Sequence, residues 1–393
     1  MTEFLIKRCI KNSENVTDPA VREAYGRLSG IVGIITNILL AASKVIIGLL
    51  FSSIAIVADG INNLSDAGSS IVALIGFKLA GIPEDSGHPY GHARYEYIAG
   101  LIISVIIIIL GLQLLREAAG KILDPDPLSF SAVSVAVLVI AIAVKLWQMG
   151  FYKVLGEKIH STTIKAVSKD SRNDAVSTGA VLLSILVGKL TGFQLDGIMG
   201  ALVAIFILYS GFSLVKETVD PLLGKAPDRG LVEALETKIL SYPGALGIHD
   251  LVVHEYGPGR IFASAHVEVD AREDVMKSHD LIDTIERDVI KDFHMHFVIH
   301  MDPIVTEDEN LLRIKEQMEA LLKEIDPRIR FHDFRYVPGP THTNLIFDVV
   351  VPMRFHIEDE ELKEQIQQRV REKIGPSYYT VITVDKDYLN QEG

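Results

Sequence analysis

Residues 101–112 read LIISVIIIILGL, an almost uninterrupted apolar run that few soluble helices would tolerate. A helix needs about 20 mainly apolar residues to cross the hydrocarbon core of a bilayer. This run and five other stretches of the chain reach that length. The sequence therefore predicts a transmembrane domain of six helices, at about 29–51, 55–80, 97–118, 129–150, 166–190 and 196–217.

The apolar residues are concentrated in the first part of a chain of 393 residues. The mean hydropathy is +0.28 although 23% of the residues are charged, and charged residues become frequent after Pro227. A domain boundary is therefore expected near residues 224–227. We expect a cytoplasmic N-terminal segment, a transmembrane transport domain, a metal-sensing and dimerisation domain and a further cytoplasmic repeat, at 1–28, 29–223, 224–305 and 306–393.

Net charge and cysteine content exclude several classes of function. The formal net charge of −13 argues against nucleic acid as a partner, because binding to the phosphate backbone relies on basic side chains. The single cysteine, Cys9, rules out an intramolecular disulfide and a thiolate metal cluster. The sequence has no recognisable nucleophile–base set or phosphate-binding loop, so we do not expect an enzyme.

Basic residues in the short loops predict the orientation in the membrane, since cytoplasmic loops carry an excess of Lys and Arg. The loop after the fourth predicted span carries Lys153, Lys158 and Lys165, and the N-terminal segment is also basic. The first loop, at residues 51–53, carries no charge. We therefore expect an integral protein of the plasma or inner membrane with both termini in the cytoplasm.

Two of the predicted spans contain acidic residues, which are costly in hydrocarbon and therefore suggest a functional site. Asp59 and Asn63 are four residues apart, and so are Asp170 and Asp174, so each pair lies on one face of its helix. The two helices can then enclose one ion. Asp66 lies one turn further along and serves either as a neighbour of the ligands or as a helix contact.

An alternative is that these acids only hold the helices together by pairing with Arg172, Lys169 or nearby hydroxyl groups. We expect too few neighbouring cations to neutralise both pairs. The predicted ligands are all oxygen atoms, which suit Mg²⁺, Ca²⁺ and Mn²⁺ better than Zn²⁺, and no histidine lies within the six predicted spans. Crowded carboxylates hold protons when no metal is bound, so metal binding would release protons.

Three motifs in this order carry a resemblance to a known family. Residues 58–66 read ADGINNLSD, residues 85–96 read DSGHPYGHARYE and residues 168–174 read SKDSRND. Together they resemble the cation diffusion facilitator family of metal/proton antiporters, from about residue 28 to residue 303. The resemblance implies homodimers with six transmembrane helices and a cytoplasmic ferredoxin-like domain.

The resemblance also implies the transport ligands and the cargo. The transport site maps to Asp59, Asn63, Asp170 and Asp174. Zinc-transporting members have a histidine where Asp170 stands and usually an acid where Asn63 stands, so this set resembles the manganese branch. The family's loop site maps to Asp85, His88 and His92. The alternative is that this segment is a structural turn that caps the third span.

Residues after Pro227 follow the order helix, strand, strand, helix, strand, which predicts a compact α+β module. We expect helices at 231–241 and 276–293 and strands at 250–256, 261–270 and 296–302. The alternation of apolar and polar residues in 262–269 is typical of a strand with one exposed face.

The tail, from about residue 310 to residue 389, repeats this pattern. HDL at 249–251 recurs as HDF at 332–334, and VIHMD at 298–302 recurs as VITVD at 381–385. We expect a second ferredoxin-like copy, since 344–351 alternates like a strand. The alternative is a charged helical tail without a packed fold.

The resemblance implies a regulatory divalent metal in the first cytoplasmic copy. The matching residues are His249, His266, His279, His300 and Asp302. Four imidazoles and a carboxylate suit Zn²⁺ or another borderline cation, which differs from the manganese preference of the predicted transport site. In the second copy Asp348 and Thr383 stand where His266 and His300 stand, so we expect that copy to have lost the metal and to serve packing or dimerisation.

The sequence thus predicts a divalent cation efflux transporter, a Mn²⁺/H⁺ antiporter working by alternating access. The alternatives are an Fe²⁺ or Zn²⁺ exporter of the same family and, in another class, a membrane-anchored metal sensor.

Overall fold

The computed structural model describes residues 2–16, 18–50, 54–123, 132–191 and 196–387. Within these ranges it does not describe the side chains at 19, 48, 54–62, 65, 134 and 196. The predicted ligand Asp59 therefore has a described helical backbone, but its side chain lies outside the description, as does the first predicted loop at 51–53. The chain divides into two compact units, one of residues 1–225 and 255–261, the other of 226–254 and 262–393.

The first unit is helical. A short N-terminal helix precedes six long ones, which are 27 to 32 residues in length. The helices are α1 (Thr2–Cys9), α2 (Pro19–Leu50), α3 (Ile54–Ala80), α4 (Tyr95–Leu123), α5 (Ala132–Lys158), α6 (Thr162–Thr191) and α7 (Asp196–Leu222).

Among the described residues, five helices are long and apolar enough to cross a membrane. α3, at 27 residues, is not among the five, because the side chains at 54–62 and 65 lie outside the description. A helical transmembrane domain is thus confirmed, while the sixth span stays a prediction. The five segments are Ala20–Ile47, Tyr95–Leu123, Val135–Lys158, Thr162–Thr191 and Gly197–Leu222.

The helices pack in pairs, with α2 along α3, α4 along α7 and α5 along α6. Gly33 of α2 lies at a point where three helices converge, because a Cβ there would collide with Ser70 of α3 and Tyr152 of α5. The ring of Tyr152 is almost completely buried, as is that of the neighbouring Phe151. This close approach brings the polar residues of α3 and α5 near one another.

The second unit contains two modules with the same order of elements, helix, strand, strand, helix, strand. This confirms the coarse prediction of an α+β part after the helical domain, whereas its ferredoxin-like character stays a prediction. The first module comprises α8 (Arg229–Leu240), β1 (Gly247–Glu255), β2 (Ile261–Asp270), α9 (Val275–Phe293) and β3 (His296–Ile304), and the second α10 (Glu309–Ile325), β4 (Arg330–Pro338), β5 (Thr343–Pro352), α11 (Asp359–Lys373) and β6 (Tyr378–Asp387).

Each module has a three-stranded sheet, in the orders β1-β2-β3 and β4-β5-β6. β2 and β3 are parallel, with His266 opposite His300, and β5 and β6 are parallel, with Asp348 opposite Thr383. The strand registers therefore match the same residues of the two modules with each other as the repeated sequence motifs do. His332 of β4 lies opposite Asp348 in the antiparallel pair with β5.

Local sequence accounts for these elements. The carboxylate of Asp274 accepts hydrogen bonds from Met276 N and Lys277 N at the start of α9, which satisfies backbone donors that the helix itself leaves free. In β2 the apolar positions Ala263, Ala265, Val267 and Val269 are buried and alternate with more exposed ones. Burial of one strand face against a helix is the main stabilising contribution.

Candidate functional site

Three carboxylates meet inside the helical unit. One oxygen of each of Asp66, Asp170 and Asp174 lies within 4.8 Å of the others. Asp66 and Asp170 are buried, and Asp174 is 28% exposed at its side chain. The structure thus brings Asp66 to the predicted ligands of α6, so that helices α3 and α6 both contribute to the cluster.

Asn63 lies beside this cluster and is also buried. Its amide nitrogen donates to Asp66 Oδ2 at 3.0 Å, and its carbonyl oxygen accepts from Lys44 Nζ at 2.5 Å. Asn63 therefore orients Asp66 while holding a lysine of α2. An oxygen that already accepts from an ammonium group must exchange that bond for a metal before it can serve as a ligand.

A buried lysine of α5 bridges two carboxylates of the cluster. Lys145 Nζ lies 2.6 Å from Asp66 Oδ2 and 2.7 Å from Asp174 Oδ2, and it donates to Asn37 Oδ1 at 3.1 Å. Its side chain is only 3% exposed. Lys145 is a cation that the sequence-based alternative did not name, and it brings a charge of the fourth predicted span to acids of the second and fifth.

The cations named in the sequence-based alternative lie elsewhere. Lys169 pairs with Glu217 at 2.6 Å, and Arg172 donates to Ser210 at 3.1 Å with its guanidinium over the ring of Phe206. Among the described residues Asp170 has no ion-pair partner, so one carboxylate of the cluster is not neutralised by a contact. Three carboxylates and the ammonium of Lys145 carry a formal charge of −2 when all are ionised, and the ammonium of Lys44 beside Asn63 reduces it only to −1, so the cluster stays negative.

Sequence reasoning missed Lys145 although the sequence carries a signal for it. Lys145 is the one charged residue within 129–150, and Lys44 is the one charged residue within 29–51. A lone basic residue in an otherwise apolar span is a candidate partner for intramembrane acids. Applied to each span, this criterion would have found both lysines.

The loop residues Asp85, His88 and His92 also come together, with ligand atoms within 4.8 Å of one another. His92 Nε2 lies 3.1 Å from His88 Nδ1 and 3.5 Å from Asp85 Oδ2. His92 Nδ1 lies 3.0 Å from Pro83 O, and a proton on Nδ1 leaves Nε2 as the free lone pair. This is the usual way in which a second hydrogen bond fixes a ligand tautomer.

Asp85 also holds the turn itself. Its Oδ1 accepts from the backbone N–H groups of Gly87 at 2.9 Å and His88 at 2.7 Å. These hydrogen bonds, that from His88 first, hold the pKa of Asp85 below its ordinary value, so the carboxylate stays ionised. The geometry is therefore compatible with both sequence-based interpretations, a structural turn and a metal site.

The loop packs against residues 255–261, a segment of the first unit. The rings of Tyr90 and Tyr256 stack with centroids 4.4 Å apart, and Arg94 donates to the backbone carbonyl of Glu255 at 3.2 Å. Gly257 has φ +115°, and a Cβ there would lie 2.6 Å from the backbone of Ala93. Glycine is therefore required at this contact.

In the second unit, Asp302 gathers three of the predicted regulatory ligands. Its Oδ2 lies 3.0 Å from His249 Nε2 and 2.8 Å from His266 Nδ1, and its Oδ1 lies 3.2 Å from His300 Nε2. His279 is exposed on α9 and belongs to no ligand cluster among the described residues of this chain. Burial lowers the pKa of His249, which favours the neutral imidazole that metal ligation needs.

Comparison with known proteins identifies the family. The family model for the cation efflux transmembrane domain matches residues 30–223, and that for the cation efflux cytoplasmic domain matches residues 227–304. An uncharacterized transporter of Methanocaldococcus jannaschii is 34% identical over 251 residues, 64% of this chain and 88% of that protein.

The chain belongs to the cation diffusion facilitator family. The manganese efflux system protein MneS of Bacillus subtilis is 29% identical over 286 residues, 71% of this chain and 96% of its own. The cation-efflux pump FieF of Escherichia coli is 27% identical over 288 residues, 72% of this chain and 95% of its own. The resemblance seen in the three motifs is thereby confirmed.

This cation diffusion facilitator is an integral membrane transporter for divalent metal cations and not an enzyme. The cytoplasmic family model ends at residue 304, so the second module lies beyond both family models.

Proposed function

We propose that this transporter exports Mn²⁺ in exchange for protons, with Asp59, Asn63, Asp170 and Asp174 as its transport ligands and Asp66 beside them. The observation that carries the proposal is the convergence of buried carboxylates from α3 and α6. Oxygen ligands suit Mn²⁺, whereas Zn²⁺ sites favour imidazole and thiolate. The printed name of the relative MneS, a manganese efflux protein, agrees with this choice.

Lys145 takes the place of the cargo in this proposal when no metal is bound. Its ammonium group bridges Asp66 and Asp174, which is the position that a cation shared by these two carboxylates would occupy. A buried carboxylate without a counter-charge is very unfavourable, so the tethered ammonium keeps the metal-free cluster stable. An arriving dication displaces it and binds because its charge is larger.

Alternating access then explains export. The cytoplasm-facing state binds Mn²⁺, the helices rearrange, and the ion leaves on the far side of the membrane. Protons and the Lys145 ammonium then restore the charge balance of the carboxylates. We propose that α3 is the sixth span, that both termini lie in the cytoplasm of a plasma or inner membrane protein, and that the transporter works as a homodimer.

The loop and cytoplasmic clusters are proposed as regulatory sites. Asp85, His88 and His92 offer two imidazoles and a carboxylate, a set that suits borderline cations. A second set consists of His249, His266, His300 and Asp302. His279 is not close to them in this chain, so it would complete the set only after a rearrangement of the chain or as the His279 of a second subunit. Occupation of the cytoplasmic cluster is proposed to favour turnover.

Uptake of radioactive Mn²⁺ into inside-out vesicles with an imposed pH gradient tests the proposal. Asp174→Asn should abolish uptake, whereas Asp220→Asn on α7, a matched change outside the cluster, should leave it intact. Normal uptake by Asp174→Asn would end the assignment of this site.

Competition by Fe²⁺ and Zn²⁺ in the same assay ranks the cargo ions. Stronger inhibition by Zn²⁺ than by unlabelled Mn²⁺ would replace the manganese proposal with zinc export. Metal binding by the purified protein without flux of any of the three ions would favour a membrane-anchored metal sensor.

A further inference from the structure

His332 of the second module lies against His249 of the first. The two histidines occupy equivalent positions in their modules, on β4 and β1, and each is followed by an aspartate. Their rings stack with centroids 4.5 Å apart and an interplanar angle of 25°. Equivalent residues of the repeat therefore face each other where the modules of one chain meet.

Three of the four ring nitrogens of this pair lack hydrogen-bond partners. Both ring nitrogens of His332 and Nδ1 of His249 are buried and make no hydrogen bond with the described residues. The nearest carboxylate oxygen to His249 Nδ1 is that of Glu268, at 3.6 Å. The side chains are only 12% and 8% exposed. Leaving a buried polar atom without a hydrogen bond is unfavourable, so three such atoms at one junction point to a ligand there.

A carboxylate is available to the same site. Asp250 Oδ1 lies 3.5 Å from His332 Nε2. Its counterpart Asp333 has the same left-handed backbone, with φ +53° against +51° for Asp250, but is held by Arg335 at 2.9 Å. The first module has Val252 where the second has Arg335, so Asp250 lacks this arginine and is free to turn towards the histidines.

A second carboxylate approaches from β6. Asp385 Oδ2 lies 3.9 Å from His332 Nε2. Asp250 and Asp348 bring further negative charge close to Asp385. Carboxylates that crowd together in this way are stabilised by a cation.

We propose that His249, Asp250 and His332 bind a divalent metal ion between the two modules of one chain, with Asp385 as a fourth ligand. The ligand atoms of the first three residues lie within 4.8 Å of one another. Two ligands on one ion with bonds of about 2.1 Å are at most about 4 Å apart. Small side-chain rotations therefore suffice to close the site. Two imidazoles and two carboxylates suit Zn²⁺, Co²⁺ or Mn²⁺.

His249 can serve this ion without breaking its bond to Asp302. Its unpaired nitrogen is Nδ1, while Nε2 lies 3.0 Å from Asp302 Oδ2. A proton on Nε2 leaves the lone pair of Nδ1 for the ion and makes Asp302 the carboxylate that orients the ligand, as at many metal sites. His249 then belongs to the junction ion, and the cytoplasmic ion proposed above would be held by His266, His300 and Asp302 alone.

The ion would clamp two modules of the same chain. His332 and Asp385 come from the second module, and His249 and Asp250 from the first, so neither module has the site alone. From the sequence we expected the second module to bind no metal, because Asp348 and Thr383 stand where the first module has two histidines. In this proposal the second module instead contributes His332 as a ligand. This inference does not depend on which ion the membrane site transports.

Titration of the purified full chain in detergent with Co²⁺ alone tests the inference, because imidazole-bound Co²⁺ is followed by its visible absorption. His332→Ala should lose one bound Co²⁺ per chain, or bind it at least tenfold more weakly. His342→Ala, an exposed histidine of the same module, is the matched control and should retain the parental stoichiometry.

Asp250→Asn provides a second variant with little risk to folding, since Asp250 is 39% exposed at its side chain. It should also weaken binding of that one ion. Parental stoichiometry and affinity in both variants would overturn the proposal. Asp174→Asn in the same titration should keep the junction ion, so a failed transport assignment remains distinguishable from a failed junction site.

Discussion

The ammonium nitrogen of Lys145 lies 2.7 Å from a carboxylate oxygen of Asp174. These residues belong to α5 and α6, and Asp174 is a predicted metal ligand. The contact makes the metal-free cluster of this transporter an ion-paired one rather than a set of repelling acids. Binding of a dication must therefore compete with a cation that the protein supplies itself.

Replacement of this lysine should strengthen metal binding. Lys145→Met removes the competing charge but keeps the length and apolar stem of the side chain. A unit charge about 4 Å away is worth roughly 4 kcal/mol at an effective dielectric constant near 20, so we expect Mn²⁺ affinity to rise at least about tenfold. Isothermal titration of the purified protein measures the affinity, and Mn²⁺ release in vesicles should become slower.

The matched control for this variant is Lys169→Met. Lys169 is on α6 beside Asp170 in sequence but pairs with Glu217, so its loss should leave the Mn²⁺ affinity near the parental value. An unchanged or weaker affinity in Lys145→Met, in protein that remains monodisperse, would refute the role given to the lysine.

Selectivity should follow the ligand type at position 170. Asp170→His introduces an imidazole among oxygen ligands, and Zn²⁺ favours imidazole more than Mn²⁺ does. We expect the ratio of Zn²⁺ to Mn²⁺ uptake to rise at least about tenfold. Uptake of both ions by vesicles in parallel assays measures this ratio. Asn173→His, which changes the residue directly before Asp174 rather than a predicted ligand, is the control that should not change it.

The loop cluster should bind metal through His88. This histidine is 59% exposed at its side chain, so His88→Ala should fold normally while losing one ligand of the Asp85–His88–His92 set. We expect one weakly bound Zn²⁺ fewer per chain in equilibrium dialysis. His254→Ala, which changes another exposed histidine, should lose no bound Zn²⁺. If both variants lose the same amount of Zn²⁺, or neither loses any, the loop is a structural turn and not a metal site.

Substitution of the glycine at the loop contact should lower the stability of the protein. Gly257→Ala places a Cβ against the backbone of Ala93 and requires alanine at φ +115°. The left-handed backbone alone costs about 1–2 kcal/mol, and the steric clash adds to it. We expect lower thermal stability, measured as a lower midpoint of fluorescence-detected unfolding in detergent.

Gly179→Ala is the control for that change, because a Cβ at Gly179 would meet no atom within 4 Å. It should leave the midpoint unchanged or slightly higher, since alanine favours helix. Equal midpoints for the two variants would show that the contact at Gly257 tolerates a side chain.

Much of the fold was predictable because its patterns are local. The apolar run at 101–112 lies within α4, and the predicted strand at 261–270 has the bounds of β2. The predicted helix at 276–293 begins one residue after the start of α9. The period and length of an apolar pattern are enough to predict such helices and strands, because each element depends on residues that are close in sequence.

The candidate site was less predictable because it joins distant residues. Asp170 and Asp174 were identifiable from their spacing, but the place of Asp66 among them was left open. Lys145 was overlooked because a single lysine gives no period or motif; its signal is only that it is the one charged residue of an apolar span. His332 was visible in the repeated HD pair, yet its function depends on which face of β4 meets the first module.

The sequence alone determined that this protein spans a membrane, that two of its helices carry acids, and that its tail repeats an α+β pattern. Composition and spacing are sufficient for these statements, because the cost of burying charge and the period of each element act locally. Only the tertiary structure decided that Lys145 meets Asp174 and that His332 stacks on His249. Such contacts depend on how separately formed elements rotate and pack, and that is fixed by the fit of many side chains at once.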